Sequence, residues 1–129
     1  MLTERQRLGE RGELIAAVWL ESRGWSILER RFRAGHRDID IVAARPGAGG
    51  GRVVAFVEVR TRASLEQGTP QESVTWRKQR ELARAAREWI SVNRRSTDVY
   101  RFDVVGVLVA GRRARVEHVE DAFWLRGFG

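Results

Sequence analysis

The sequence predicts an α/β fold: a mixed, hairpin-rich β-sheet with a helix on each side. Three observations carry it. Two segments have helical periodicity, five short runs read as strands, and a glycine-rich loop turns the chain between the second and third strands. The resulting order is α-β-β-β-α-β-β. A chain of 129 residues suffices for one domain with a proper core, so 1–129 is expected to form a single unit.

Each element has its own warrant. Thr3 followed by Gln6 is a capping-box pattern that starts a helix. Leu8, Ile15, Ala16, Trp19 and Leu20 form its buried stripe, and Gly24 stops it. Gly9 and Gly12 are poor helix formers, each costing roughly 1 kcal/mol relative to alanine. They mark either close packing on the sheet or backbone proximity to a ligand. Residues 25–32 and 37–44 read as the first two strands. The 46–51 loop then leads into a third strand over 52–61. If Arg45 faces Arg52, Asp40 lies opposite Val57, next to Glu58.

Thr69-Pro70-Gln71-Glu72 reads as the start of a second helix running to about Val92 or Asn93. Residues 101–109 and 113–119 form the last two strands. The aromatic tail from Phe123 to Phe128 is expected to pack on the sheet or against another subunit.

The composition restricts the function classes. No cysteine is present, so disulfides and thiolate metal sites are excluded. No signal-peptide pattern or membrane-spanning stretch is seen, and cytoplasmic residence is the default expectation. The net charge is +7, carried almost wholly by arginine, which favours a polyanionic partner such as DNA. His36 and His118 lack ligand-spaced partners in the sequence, which argues against zinc.

Asp40 and Glu58 are the most informative residues. Each interrupts an apolar, strand-like run, where an unpaired ionised carboxylate is costly. A divalent cation shared by the two compensates both charges, and oxygen-only ligation suits Mg²⁺ or Mn²⁺. Period-two alternation puts Glu58 and Arg60 on one face, and Asp38 and Asp40 on one face of the preceding strand. Phosphodiester hydrolysis fits the cation, the basic surface and the acids together. Glu13 lies near the buried stripe of the first helix, within reach of the same cluster or of an arginine such as Arg11 or Arg5. Lys78, the only lysine, lies on the apolar face of the second helix; it is either a snorkelling residue or an amine aimed at the sheet. Arg30, Arg31, Arg33 and Arg37 flank the acidic strand and, with Arg62, are candidate phosphate contacts. Arg77, Arg80, Arg84 and Arg87 read as a solvent-side stripe paired with Glu81 and Glu88.

These residues also carry a resemblance. Gly12-Glu13, residues 38–42, Phe56-Val57-Glu58-Val59-Arg60-Thr61-Arg62, Gly68, Lys78 and Arg101-Phe102-Asp103 resemble the YraN-like family of small bacterial proteins. That family is similar to archaeal Holliday junction resolvases, within the PD-(D/E)XK, restriction-endonuclease-like superfamily. The resemblance implies an α-β-β-β-α-β core, Asp40 and Glu58 as metal ligands, Glu13 as an accessory acid, and position 60 as the motif lysine. This chain has arginine at position 60, which cannot act as a base but can stabilise charge at phosphorus. Lys78 then stands as the replacement amine. Where the family has Gly-Glu before the second-strand aspartate, this chain has Arg37-Asp38.

The expected function is thus a Mg²⁺- or Mn²⁺-dependent endonuclease of DNA, branched or junction DNA included, with a homodimer suiting a symmetric junction. One alternative is a nucleic-acid-binding module that keeps the fold without cleavage. Another is an interaction subunit that docks through its aromatic tail.

Overall fold

The computed structural model describes residues 1–64 and 68–124. Helix α1 spans Glu4–Ser22, followed by strands β1 (Ser26–Ala34), β2 (Arg37–Pro46) and β3 (Arg52–Arg62). Helix α2 (Trp76–Asn93) precedes β4 (Val99–Ala110) and β5 (Arg113–Phe123). The five strands form one sheet in sequential order; all neighbours are antiparallel except β3 and β4. A parallel pair needs a crossover, and α2 supplies it. This is the mixed α/β architecture of a restriction-endonuclease-like core.

The two helices cover opposite faces. Ala16, Ala17 and Leu20 of α1 pack with Ile41, Ala43, Ala55, Val57, Val105 and Val107. Leu82, Ala83, Ala86 and Trp89 of α2 pack with Val42, Val54, Phe56, Phe102 and Val104. Neighbouring residues of β3 thus belong to different cores, as a strand buried on both sides requires. None of the described helices is long and apolar enough to cross a membrane.

The start of α1 is as the sequence predicts: Thr3 Oγ1 accepts from the Gln6 N–H, and the Gln6 side chain accepts from the Thr3 N–H. Gly12 has a packing reason. A Cβ there would overlap the Thr61 side chain, so the helix lies directly on β3.

Two expectations are corrected. The hairpin register is one residue away from that expected: Arg45 faces Val53 and Pro46 faces Arg52. The Gly47 N–H donates to the Gly51 carbonyl and closes the loop one step later than an Arg45–Arg52 pairing would. The second helix also begins at Trp76, not at Pro70. Thr69 does cap, accepting from the Glu72 N–H, but only a short 3₁₀ turn over Gln71–Ser73 follows. Val74 then takes an extended conformation and is buried, and Thr75 caps afresh. Pro70 rests on Gly106, and the Gln71 amide donates to the Ala122 carbonyl. Those two contacts hold the segment flat across the sheet, so the helix has to restart.

Of the aromatic tail, Phe123 stacks on Phe102 at 4.9 Å and Trp124 is exposed; residues 125–128 lie outside the described residues.

Gly12→Ala should destabilise the protein by roughly 1–3 kcal/mol, because α1 must lift off Thr61. Urea unfolding measures it, and an unchanged midpoint would show that the helix does not sit on β3.

Candidate active site at the fork of the sheet

The sheet divides at one place. Pairing between β2 and β3 runs from Pro46–Arg52 to Ile41–Val57 and ends there. Beyond that point β2 stays with β1 as far as Arg37, and β3 stays with β4 as far as Arg62. Asp40 and Glu58 are the first residues past the fork on either side.

A fork leaves main-chain groups without a ladder partner, and a buried N–H left unmade costs about 1–3 kcal/mol. Asp40 answers that need at Val59: its Oδ2 accepts from the Val59 N–H at 2.8 Å. The strand pattern is broken locally as well. Ile39 belongs to the α2-side core, whereas Ile41 belongs to the α1-side core. The Asp40 carboxylate therefore lies in the gap between strands instead of on a plain face.

Glu58 is 4 % exposed and approaches from the α2 side, in line with Val54 and Phe56. Its Oε2 accepts from Arg37 Nη2 at 3.1 Å and lies 3.4 Å from Arg60 Nη1. Arg37 also faces Glu81 of α2 at 3.9 Å. Asp40 and Glu58 stand on either side of the fork, close enough for the charge of one to act on the other. Burial pushes Asp40 from 3.8 up to about 8; the Glu58 charge adds to the rise, and the Val59 N–H opposes it. In the ligand-free protein burial thus favours the protonated form of Asp40.

Lys78 reaches this cluster from the first turn of α2. Burial lowers its pKa, and repulsion by Arg60 and Arg37 adds to the fall. The snorkelling stem and the inward amine, alternatives on sequence grounds, are combined: the residue is half-buried and lies in the field of Glu58.

The α1 side contributes Glu13, 8 % exposed. Its partners are neither Arg11 nor Arg5. Its Oε1 accepts from Arg30 Nη2 at 3.2 Å and from Arg31 Nε at 3.1 Å. Arg31 lies between the Arg30–Ile41 and Phe32–Ile39 pairs, opposite Asp40, and has φ 53°. A left-handed arginine costs about 1–2 kcal/mol, and the bonds to Glu13, with Glu10 at 3.7 Å, hold it there. Arg33 is exposed and faces Asp38 across the ladder. Asp40, Glu13, Arg31, Arg60 and Arg62 all line one groove of about 920 Å³ between α1 and the end of β3.

The structure therefore brings Glu13, Asp40, Glu58, Arg60 and Lys78 around one fork, with Arg30, Arg31 and Arg37 bound to the acids. On α2, Arg77 lies 3.9 Å from Glu81 and is 92 % exposed, as expected of a solvent-side pair.

A second polar group was missed in the sequence. Asp103 of β4 and His118 and Glu120 of β5 bring one ligand atom each within 4.8 Å of one another. His118 Nε2 is 2.7 Å from Asp103 Oδ2, so the histidine does have a partner, delivered by the neighbouring strand. Sequence spacing could not show a pairing between strands. The available signals were an aspartate ahead of an apolar run and the period-two placement of His118 and Glu120. Arg101 bonds both carboxylates and Arg45 lies 3.6 Å from Glu120, so two guanidiniums already balance the two acids. Trp19 and Trp25 meet the imidazole edge-on. The group ties β5 to β4 where their register shifts: the Asp121 N–H, at φ 50°, donates to Asp103.

Comparison with known proteins gives a consistent result. A sequence model described as uncharacterised protein family UPF0102 matches residues 12–107. A UPF0102 protein of Chlorobium chlorochromatii is 42% identical over 124 residues, covering 92% of both chains. One from Trichlorobacter lovleyi is 45% identical over 120 residues, 92% of this chain and 91% of that protein. One from Rhodococcus opacus is 40% identical over 117 residues, 90% of this chain and 95% of that protein.

The raised Asp40 acidity has a defined sign. A carboxyl whose folded pKa exceeds its unfolded value stabilises the fold below the unfolded value, and that contribution is lost as pH rises through the folded one. Without divalent ions the protein should lose stability between about pH 4 and pH 8. Asp40→Asn keeps an acceptor for Val59 and removes the charge. It should raise Tm at pH 9 by several degrees, roughly 1–3 kcal/mol, with little change at pH 4. Equal Tm values for the two proteins across this range in thermal melts would contradict the acid pair.

Proposed function

The chain belongs to the uncharacterised protein family UPF0102, and from the acids at the fork we propose that it is a metal-dependent, nuclease-like protein that hydrolyses phosphodiester bonds in DNA, branched DNA included. The observation that carries this reading is the Asp40–Glu58 pair. Two carboxyls stand together at the fork, Glu58 buried and Asp40 raised to about 8 by burial and by the Glu58 charge, and a cation between them would relieve that repulsion.

The donor set fits a hard divalent ion. Asp40 and Glu58 offer carboxylate oxygen only, and both guanidiniums that reach Glu58 approach the same oxygen, Oε2. Mg²⁺ or Mn²⁺ is the match, held by these two residues. Once bound, such an ion supplies Lewis-acid polarisation of a phosphoryl oxygen and lowers the pKa of water.

The remaining roles belong to the chain. Val59 N–H keeps the Asp40 carboxylate oriented across the fork. Arg37 and Arg60, already beside Glu58, meet the negative charge that develops at phosphorus. Arginine retains its proton, so Arg60 positions and stabilises without serving as a base. Lys78 Nζ, its pKa lowered chiefly by burial, is the cation of this cluster that can give or take a proton. Glu13 holds Arg30 and Arg31 at the groove.

A second reading rests on a specific observation. Arg60 stands at the motif-lysine position, and Glu58 carries two guanidiniums. A module that binds DNA without cutting it is consistent with both.

Incubation with single-stranded, duplex and four-way-junction DNA plus Mn²⁺ separates the readings. The nuclease expects cleavage that falls at least 100-fold in Asp40→Ala and in Glu58→Ala, with DNA affinity retained. Salt-sensitive binding without any metal-dependent cleavage would establish the binding module instead.

A further inference from the structure

Gly12 is explained by packing, and Gly9 is not. Gly9 lies inside α1, where glycine is unfavourable. Among the described residues, a Cβ built on it would meet nothing within 4 Å. No neighbouring element therefore demands a missing side chain at this position, and its φ is not in the left-handed region. Gly9 does, however, line the groove that has Asp40 in its wall.

The bare backbone changes the shape of that groove. A helix with side chains is about 10–12 Å across, whereas its Cα atoms lie on a cylinder of radius about 2.3 Å. At Gly9 the helix surface recedes toward the narrower figure, and the groove gains that depth. A Cβ at position 9 would project into that space without overlapping any described residue. Around the same space Arg5, Arg31, Arg60 and Arg62 supply positive charge, Glu10 and Glu13 are held beside Arg31, and Leu2 and Val59 supply apolar surface. A groove of about 920 Å³ that combines guanidiniums with small apolar patches suits a thin chain of phosphates carrying bases.

We propose that an unpaired DNA strand runs through this groove against the α1 backbone at Gly9, which delivers one of its phosphates to Asp40 at the fork. The inference rests on the nuclease-like reading for what happens at the acids, but strand binding is separable from hydrolysis. A single strand is thinner than a duplex and can approach the bare backbone at Gly9 more closely. The preferred substrates are therefore those with a single-stranded portion: flaps, frayed ends, or the opened arms of a junction.

The test uses the full chain, a fluorescein-labelled oligothymidylate and a blunt duplex of equal length. Affinities are read by anisotropy with Ca²⁺ and without divalent ions. Gly9→Ala should raise Tm by a few degrees, as an exposed helical glycine allows. Gly9→Leu should fold with a Tm at or above the wild type and bind the oligothymidylate at least 10-fold more weakly. Wild-type protein should prefer the oligothymidylate to the duplex. Unchanged affinity in Gly9→Leu, preference for the duplex, or no binding of oligothymidylate by the wild type would each overturn the proposal. The nuclease reading fails on different evidence: a wild type that binds the strand, loses it in Gly9→Leu, and yet cuts no DNA with Mn²⁺.

Discussion

The candidate site depends on one hydrogen bond, that from the Val59 N–H to the Asp40 carboxylate. Where β2 parts from β3, the edge of β3 would otherwise expose an unpaired amide. A side chain that takes the place of a ladder partner closes this edge and, by doing so, is carried into the interior. Its charge then becomes a problem for the fold, and the nearby Glu58 enlarges it. The most stable core at this point would use an apolar residue and a continuous ladder. The chain instead keeps two acids side by side at the fork, a local departure from what packing alone favours.

The positive charge around the fork is ordered in two layers. Arg30 and Arg31 are bound to Glu13 on the α1 side, and Arg37 and Arg60 to Glu58 on the α2 side. Glu13 and Glu58 are thus each matched to a pair of guanidiniums, which limits their desolvation penalty, whereas Asp40 has only the Val59 N–H. The same pairing orders long side chains that would otherwise sample many rotamers. A surface that read as a diffuse basic excess is here a set of positioned donors. The Asp103–His118–Glu120 group shows the contrasting case. There the acids, arginines and imidazole bind one another and fasten β5 to β4.

The two glycines of α1 show how composition alone can mislead. Both break helix propensity, and sequence offers the same two explanations for both. Contact with Thr61 accounts for Gly12, whereas open space faces Gly9. Identical residues three positions apart on one helix have separate causes, because one faces the sheet and the other the groove.

Much of the architecture was legible in the sequence, because it depends on local chemistry. The capping box of α1, the order of elements, the stop at the glycine loop and the faces of β3 follow from propensity and period. So did the suspicion that falls on Asp40 and Glu58, since a carboxylate in an apolar strand is conspicuous whatever surrounds it. What the tertiary structure decided concerns relations between distant segments. The register of the hairpin moved by one residue because loop closure sets it. The second helix restarted at Trp76 because Pro70 and Gln71 are held against β4 and β5. The partners of Glu13 and His118 came from strands, not from helical neighbours. Sequence alone determined which residues were out of place; only the folded chain could decide where they meet, since contacts across the sheet depend on geometry that no local pattern encodes.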